Sequence, residues 1–306
     1  MELSLTDTNL IVFSVCAIFL PYVLSGLVII FLALYIVVNS RTRKLVFIHK
    51  GSAGMKIFLA LAVLIPIYYH NLPGLMAGLA IMLGMVLGFY FRSIMTTELY
   101  EWILSLICIL SLTSTGYAIT QEILLSIASD RYSTQRLSAV FFYPNYFGTI
   151  TATVILICAY KLLTHQGHKL FICFIASMNI FCLYLCKSIF SFIEVFVGVA
   201  VLLSGWFCLA ALTGLCIFVL HIDVIPRMED VDVTLGLRFK IWHMAIGQII
   251  KKPLIGHGFF TFMDVFHIYY DGKVIPHAHS LYLDSVLNYG IIGTAFLLTY
   301  FIRYYQ

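Results

Sequence analysis

The arginine and histidine side chains that could take part in chemistry fall in three stretches of the sequence. The first runs from Arg136 to Pro144-Asn145, the second from Arg238-x-x-x-Trp242 to Gly256-His257-Gly258, and the third contains His277-Ala278-His279-Ser280. A guanidinium group binds phosphate oxygens in bidentate fashion and stays charged at any working pH. An imidazole, with an ordinary pKa of about 6.5, can accept a proton near neutral pH. Together the stretches offer cations for a phosphate and a base for a hydroxyl.

Each stretch alone has an ordinary structural explanation. An arginine at a membrane interface usually extends to the lipid headgroups. Gly256-x-Gly258 is typical of a turn that needs positive φ, and the third glycine of a dinucleotide-binding motif is absent. His277-x-His279, with His257 or His267, could hold zinc, but neither a cysteine nor a carboxylate cluster completes such a ligand set.

The elements that must position these residues are membrane spans. Of the 306 residues, 62% are hydrophobic and only 10% are charged, against roughly 25% charged in a soluble domain. The apolar residues form long, repeated runs, as bilayer spans require. The basic residues lie in short loops between those runs, so the pattern argues against nucleic-acid binding.

We predict an all-α, polytopic membrane protein of about nine or ten transmembrane helices. The apolar runs are residues 10–38, 57–69, 75–91, 102–119, 141–163, 170–186, 189–220 and 291–302. The first run contains Pro21 and Gly26 in its middle, so it is either one kinked span or two short helices. Residues 189–220 are too long for one span, and Ser204-Gly205 is a plausible turn within them. Five basic residues between the first two runs place that loop in the cytoplasm, namely Arg41, Arg43, Lys44, Lys50 and Lys56.

Alternation of the spans from this loop predicts three parts of one membrane domain. Residues 1–221 form a transmembrane bundle, residues 222–287 an extracytoplasmic loop with an amphipathic helix, and residues 288–306 the last transmembrane helix. The helix has an apolar stripe that suits a membrane interface, made of Leu235, Phe239, Trp242, Ala245 and Ile249. The same alternation, with residues 120–139 as an external loop, puts Arg136, Arg238 and His279 on the external side.

The order and spacing of the three stretches resemble the bacterial O-antigen ligase and polymerase family over about residues 131–300. The resemblance rests on Arg136 with Pro144-Asn145, Arg238-x-x-x-Trp242 with Pro253-Leu-Ile-Gly-x-Gly, and His279-Ser-x-x-Leu with Gly290-x-x-Gly293. It implies a membrane glycosyltransferase that acts outside the bacterial cytoplasmic membrane and needs neither a cofactor nor a metal. The implied donor is a glycan on undecaprenyl pyrophosphate. The implied acceptor is a glycan, lipid or protein for a ligase, or a growing chain for a polymerase.

The resemblance also implies roles for individual residues. The family's essential histidine falls on His279, which would be the base, while Arg136 and Arg238 would hold the pyrophosphate and stabilise its departing charge. Where the family often has Ser-Arg, this chain has Lys187-Ser188, so Lys187 is a secondary candidate. The other secondary candidates are Glu194, which is ionisable inside an apolar run, and Trp242 and His277, which lie beside the principal residues.

Two other functions remain open on the sequence alone. A flippase or exporter of lipid-linked oligosaccharide would use the same external arginines to receive a phosphate head, and such proteins often have broken helices at the midplane. A non-catalytic membrane family member would keep the fold without the chemistry. The long polar segment before the last span favours the enzyme, because it exceeds a simple connection.

Overall fold

The computed structural model describes residues 4–47, 53–129, 135–203, 214, 231–269 and 274–305. Within these residues the structure is helical and has no strand. The helices are, in chain order, α1 Leu5–Ile18, α2 Tyr22–Val38, α3 Ser40–Phe47, α4 Ala53–Tyr68, α5 Leu72–Ile94, α6 Thr97–Ser129, α7 Pro144–Leu163, α8 Lys169–Cys186, α9 Ile189–Leu202, α10 Val231–Lys251, α11 Thr261–Tyr269 and α12 Leu281–Tyr305.

Among the described residues, five helices are long and apolar enough to cross a membrane, namely α5, α6, α7, α8 and α12. The pair α2 and α3 passes the same test together but is bent by 97°. Three further apolar helices, α1, α4 and α9, are shorter. The predicted all-α, polytopic membrane protein is confirmed. The larger predicted count of nine or ten spans includes one at 207–220 and a turn at 204–205, which lie outside the described residues except for residue 214.

Several predicted boundaries differ from the structure. The first apolar run forms two helices, the second of the two alternatives, with the break at Pro21. The basic segment expected to be a loop is partly helical, as α3. Residues 120–129, expected to belong to an external loop, continue α6 to Ser129. Polar side chains end a hydrophobic run without ending a helix, because the backbone hydrogen bonds of a helix do not depend on hydropathy.

The chain divides into two compact units. The first comprises Met1–Ile29 and Ile94–Glu229, and its described core consists of α6, α7, α8 and α9. Gly148 in α7 allows a close approach to α9, because a Cβ there would lie 2.6 Å from the Ser191 hydroxyl and 2.7 Å from the Ser188 Cβ. The first turns of α7 and α9 therefore lie side by side.

The second unit comprises Ile30–Ser93 and Asp230–Gln306. In it α4 packs along α12, and α10 packs on α12 and α11. One buried cluster joins α10, α11, α12 and the segment before α12, and consists of Ile241, Ala245, Phe262, Phe266, Ala278 and Leu287. Ile241 and Ala245 form the inward face of α10, whereas Leu235 and Phe239 of the predicted apolar stripe are 41% and 63% exposed. That this stripe lies on a membrane interface stays a prediction.

A break in α12 gives the second unit its most specific backbone contact. Gly290 has φ 63° and ψ −175°, which interrupts the helix. The segment 253–258 docks at this break through four backbone hydrogen bonds. His257 N–H donates to Leu287 C=O at 2.8 Å, Gly258 N–H to Asn288 C=O at 2.9 Å, Ile291 N–H to Pro253 C=O at 2.8 Å and Ile292 N–H to Leu254 C=O at 3.2 Å. The polar groups freed by the break thus regain partners.

Candidate functional site

His279 lies in a tight turn that directly precedes α12. Its φ is 52°, a left-handed conformation that is uncommon for a residue with a side chain. The His279 N–H donates to Nδ1 of His277 at 3.2 Å, and the two rings meet edge to face at 4.4 Å between centroids. The turn therefore presents two imidazoles side by side, with His277 using its Nδ1 lone pair to hold the backbone at His279.

The peptide groups of Ala278, between the two histidines, are held on both sides. The Ala278 N–H donates to Oδ1 of Asp284 at 2.7 Å, and the Trp242 indole N–H donates to the Ala278 C=O at 3.0 Å. Ala278 itself is fully buried. The turn is thus attached to the first turn of α12 through Asp284 and to α10 through Trp242, which gives Trp242, a secondary candidate from the sequence, a structural contact with the site.

The electrostatic surroundings keep the His279 imidazole neutral. Burial of the ring, and then the nearby His277 and the positive charge of Arg238, lower the pKa of His279 to about 4. Arg238 is half-buried on α10, one helical turn before Trp242, and desolvation lowers the pKa of its guanidinium from its ordinary value. The imidazole is therefore neutral and has a lone pair available at neutral pH, while the lowered pKa makes it a weaker base than an ordinary histidine.

The segment around His257 has a structural role. Nε2 of His257 lies 2.8 Å from the Gln248 carbonyl, and partial burial lowers the pKa of the His257 imidazole. Gly256 and Gly258 have φ values of 70° and 87°, as the sequence predicts for a turn. A Cβ on Gly256 would lie 2.6 Å from the backbone of residues 288 and 290. The glycine pattern therefore serves the contact with the break in α12.

Arg136 lies in the first unit, ahead of α7. Its Nε–H donates to the Cys186 carbonyl at the end of α8 at 3.1 Å, and a terminal N–H donates to Oδ1 of Asn145 in the first turn of α7. The guanidinium also lies 5.8 Å from the centroid of the Tyr143 ring. The sequence stretch from Arg136 to Asn145 thus folds so that Asn145 and the carbonyl at the end of α8 orient the arginine.

The two other candidates of the first unit, Lys187 and Glu194, follow Cys186, whose carbonyl binds Arg136, in the sequence. Lys187 follows Cys186 and caps the C-terminus of α8 in a left-handed conformation with φ 50°. Only Ser188 separates it from the first residue of α9. Glu194 is half-buried one turn further along α9 and accepts a hydrogen bond from the Thr153 hydroxyl at 3.5 Å. Lys187 lies next to the N-terminus of α9, whose partial positive charge favours anions. Glu194 lies further along the same apolar helix.

Sequence reasoning missed Asp284. Residues five apart do not stack on one face of a helix, so the sequence gives no reason to pair Asp284 with His279, and in the structure Asp284 accepts a hydrogen bond from the Ala278 N–H. The available signal was an acidic residue in the first turn of α12, just after Ser280, whose hydroxyl accepts from Leu283 N–H at 3.4 Å. In the described part of the chain, no three His, Cys, Asp or Glu side chains form a group that could hold a metal ion.

Fold and site together define a polytopic membrane protein with a histidine and an arginine on a structured segment that precedes a broken last helix. A protein-family profile described as O-Antigen ligase matches residues 148–298, about half of the chain. The chain belongs to the O-antigen ligase family. The match contains Arg238, Trp242 and His279, while Arg136 lies ahead of it. No curated protein matches the chain.

Proposed function

We propose that this protein transfers a glycan from an undecaprenyl-pyrophosphate carrier to an acceptor, or onto a growing chain, in surface polysaccharide biosynthesis. Membership of the O-antigen ligase family supports a role in polysaccharide biosynthesis. The observation that carries the finer proposal is that, within the second unit, the Trp242 indole holds the peptide group next to His279 one helical turn after Arg238. The imidazole can take a proton while the guanidinium meets a phosphate.

In the proposed reaction, the acceptor hydroxyl attacks the anomeric carbon of the donor sugar. A new carbon–oxygen bond forms, and the bond from that carbon to the pyrophosphate oxygen breaks with its electron pair. The hydroxyl proton passes to the free nitrogen of His279, and the negative charge on the leaving pyrophosphate is stabilised by Arg238. Direct attack of this kind inverts the configuration at the anomeric carbon.

Arg136 and Lys187 are proposed as further pyrophosphate contacts. The support is local to the first unit. Arg136 is oriented by Asn145 and by the carbonyl of Cys186. Lys187 is the residue after Cys186, and the N-terminal turns of α7 and α9, which lie side by side, add partial positive charge. That these groups lie on the same side of the membrane as His279 is a prediction from the order of the spans. We propose that this side is the extracytoplasmic face of the bacterial cytoplasmic membrane.

A flippase of lipid-linked oligosaccharide is the second candidate, and the break in α12 is the observation that favours it. Transporters often place broken helices at their substrate sites. In this protein, however, the backbone groups at the break bond to segment 253–258. These backbone groups at the break are therefore already hydrogen-bonded within the protein and do not bind a substrate.

A transfer assay with the purified protein in lipid vesicles tests the proposal. Vesicles contain an undecaprenyl-pyrophosphate glycan, and released undecaprenyl pyrophosphate and glycan-bearing acceptor are measured for wild type, His279→Ala and His267→Ala. His267 is an exposed histidine on α11 and serves as the control. We expect equal release by wild type and His267→Ala and a loss of at least about 10³-fold in His279→Ala. Movement of intact donor across the vesicle membrane without release would establish the flippase instead.

A further inference from the structure

We propose that Asp284 and Trp242 are positioning residues that hold His279 in its reactive orientation by fixing the peptide groups of Ala278. The inference rests on the proposed function, because it concerns the base of that reaction. Neither side chain reacts in this account. Both act through the backbone, Asp284 from the first turn of α12 and Trp242 from α10.

The burial of Ala278 makes these two contacts necessary. Ala278 is fully buried among apolar residues of the α10, α11 and α12 cluster. A buried backbone N–H or C=O needs a hydrogen-bond partner. Asp284 supplies the acceptor for the Ala278 N–H at 2.7 Å, and Trp242 supplies the donor for its C=O at 3.0 Å. Losing either contact leaves a buried polar group without a partner, and the turn must move to regain one.

Movement of this turn would reorient His279 directly. The Ala278 C=O is part of the peptide bond to His279, and His279 is in the left-handed region with φ 52°. A residue with a side chain keeps that conformation only when its surroundings impose it. Two fixed points on the preceding residue, together with the bond from His279 N–H to His277, impose it here. The direction of the imidazole therefore depends on Asp284 and Trp242.

Trp242 also connects the base with the cation. Arg238 and Trp242 are separated by one turn of α10 and lie on neighbouring parts of its surface. The same helix therefore carries the guanidinium and holds the turn that carries the imidazole. Asp284 is fixed in its own helix, since its N–H donates to the Ser280 C=O at 2.9 Å. The sequence pattern Arg-x-x-x-Trp thus sets the separation between the proton acceptor and the phosphate contact.

The test compares Asp284→Asn, Asp284→Ala and Trp242→Phe with wild type, and Asp264→Ala on α11 is the control. Asparagine keeps a side-chain oxygen that can accept from Ala278 N–H, and alanine does not. The turnover number and the donor KM are measured per folded protein, together with hydrogen–deuterium exchange of a peptide spanning residues 275–280. We expect Asp284→Ala to lower kcat about 100-fold and Trp242→Phe about 10-fold, with donor KM within about threefold of wild type. Asp284→Asn should keep at least about a third of wild-type kcat.

Exchange at residues 278 and 279 should rise in Asp284→Ala and remain low in Asp284→Asn and Asp264→Ala. Unchanged exchange in Asp284→Ala would show that the contact does not hold the turn. Raised exchange with unchanged kcat would show that it does not position the base, and equal damage by asparagine and alanine would overturn the role of the oxygen acceptor. A wild-type protein that releases no undecaprenyl pyrophosphate would refute the proposed function and this inference with it, whereas loss of activity in Asp284→Ala alone leaves the function standing.

Discussion

At the scale of single residues, the proposed chemistry depends on a histidine that is neutral at neutral pH and on a nearby arginine. Residue type alone did not select Arg238 and His279, since the chain contains 18 lysines and arginines and 10 histidines. The order and spacing of the three stretches, and the family that they resemble, singled these two out. The pKa of His279 in the folded chain was not predictable from the sequence. The ordinary histidine pKa of about 6.5 served as the sequence-based expectation, whereas the folded chain lowers the pKa of His279 to about 4 through desolvation, His277 and Arg238.

The first prediction concerns the pH dependence of transfer. Because the pKa of His279 is lowered to about 4, its neutral form persists as the pH falls through the ordinary histidine range. We expect kcat/KM, which reports the free enzyme, to stay level between about pH 7 and 5 and to fall below about pH 4. In Arg238→Gln, loss of a nearby positive charge should move this acid limb to higher pH. An acid limb near pH 6.5 in the wild type would contradict the electrostatic account.

The second prediction concerns the shape of the cation. Arg238→Lys keeps the charge but replaces a planar fork by a point charge. A charge-assisted hydrogen bond contributes about 1.5–3 kcal/mol, so we expect kcat/KM for the donor to fall by about 10- to 100-fold. Steady-state kinetics with varied donor measure this. Lys240→Arg, at an exposed position on the same helix, is the control and should be neutral. Full activity in Arg238→Lys would show that bidentate contact is not needed.

At the scale of elements, the contact between segment 253–258 and the break in α12 holds the second unit around the site. The sequence indicated a turn at the glycines, because glycine tolerates positive φ. It could not show what the turn contacts, since the four hydrogen bonds join residues that are far apart in the chain. The last helix was likewise predicted to begin only at residue 288, with its apolar run at Ile291, whereas it begins at Leu281, because the part before Gly290 contains Asp284, Ser285 and Asn288 and lacks a continuous apolar run.

The third prediction tests this contact. A Cβ on Gly290 would lie 2.1 Å from the Leu254 carbonyl oxygen, and its φ of 63° is unfavourable for alanine. We expect Gly290→Ala to destabilise the protein by at least about 2 kcal/mol, measured as a lower unfolding temperature in detergent. Gly88→Ala on α5, where a Cβ meets nothing within 4 Å, should leave the temperature unchanged or raise it. Equal unfolding temperatures for the two variants would contradict the docking of the segment.

At the scale of the whole molecule, hydropathy predicted a polytopic membrane protein and most of its described helices. It was less reliable for their ends, since it reports the solvent around a residue and not its backbone conformation. Residues 120–129 are polar enough to interrupt an apolar run, yet α6 continues through them. The sidedness of the loops follows from the positive-inside rule applied to the basic residues around α3, and it stays a prediction.

The fourth prediction tests that sidedness. Lys44 on α3 and Lys251 at the end of α10 are both exposed. Cysteine placed at Lys251 should react with a membrane-impermeant maleimide in intact cells or spheroplasts, and cysteine placed at Lys44 should react only after the membrane is opened. Labelling is measured above that of the parent protein, which has cysteines of its own. The reverse pattern would place His279 on the cytoplasmic side and refute the proposed donor face.

Donor binding and turnover, measured in the same reconstituted protein for wild type, His279→Ala and Arg238→Ala, separate the role of the base from that of the pyrophosphate contact. Loss of a base should lower turnover without weakening donor binding, whereas loss of a pyrophosphate contact should weaken donor binding. We expect His279→Ala to bind the undecaprenyl-pyrophosphate glycan within about threefold of wild type and to release almost none of its carrier, and Arg238→Ala to bind it at least about 10-fold more weakly. Turnover retained in His279→Ala together with collapsed donor affinity would contradict the account, because the histidine would then hold the donor and another group would take the proton.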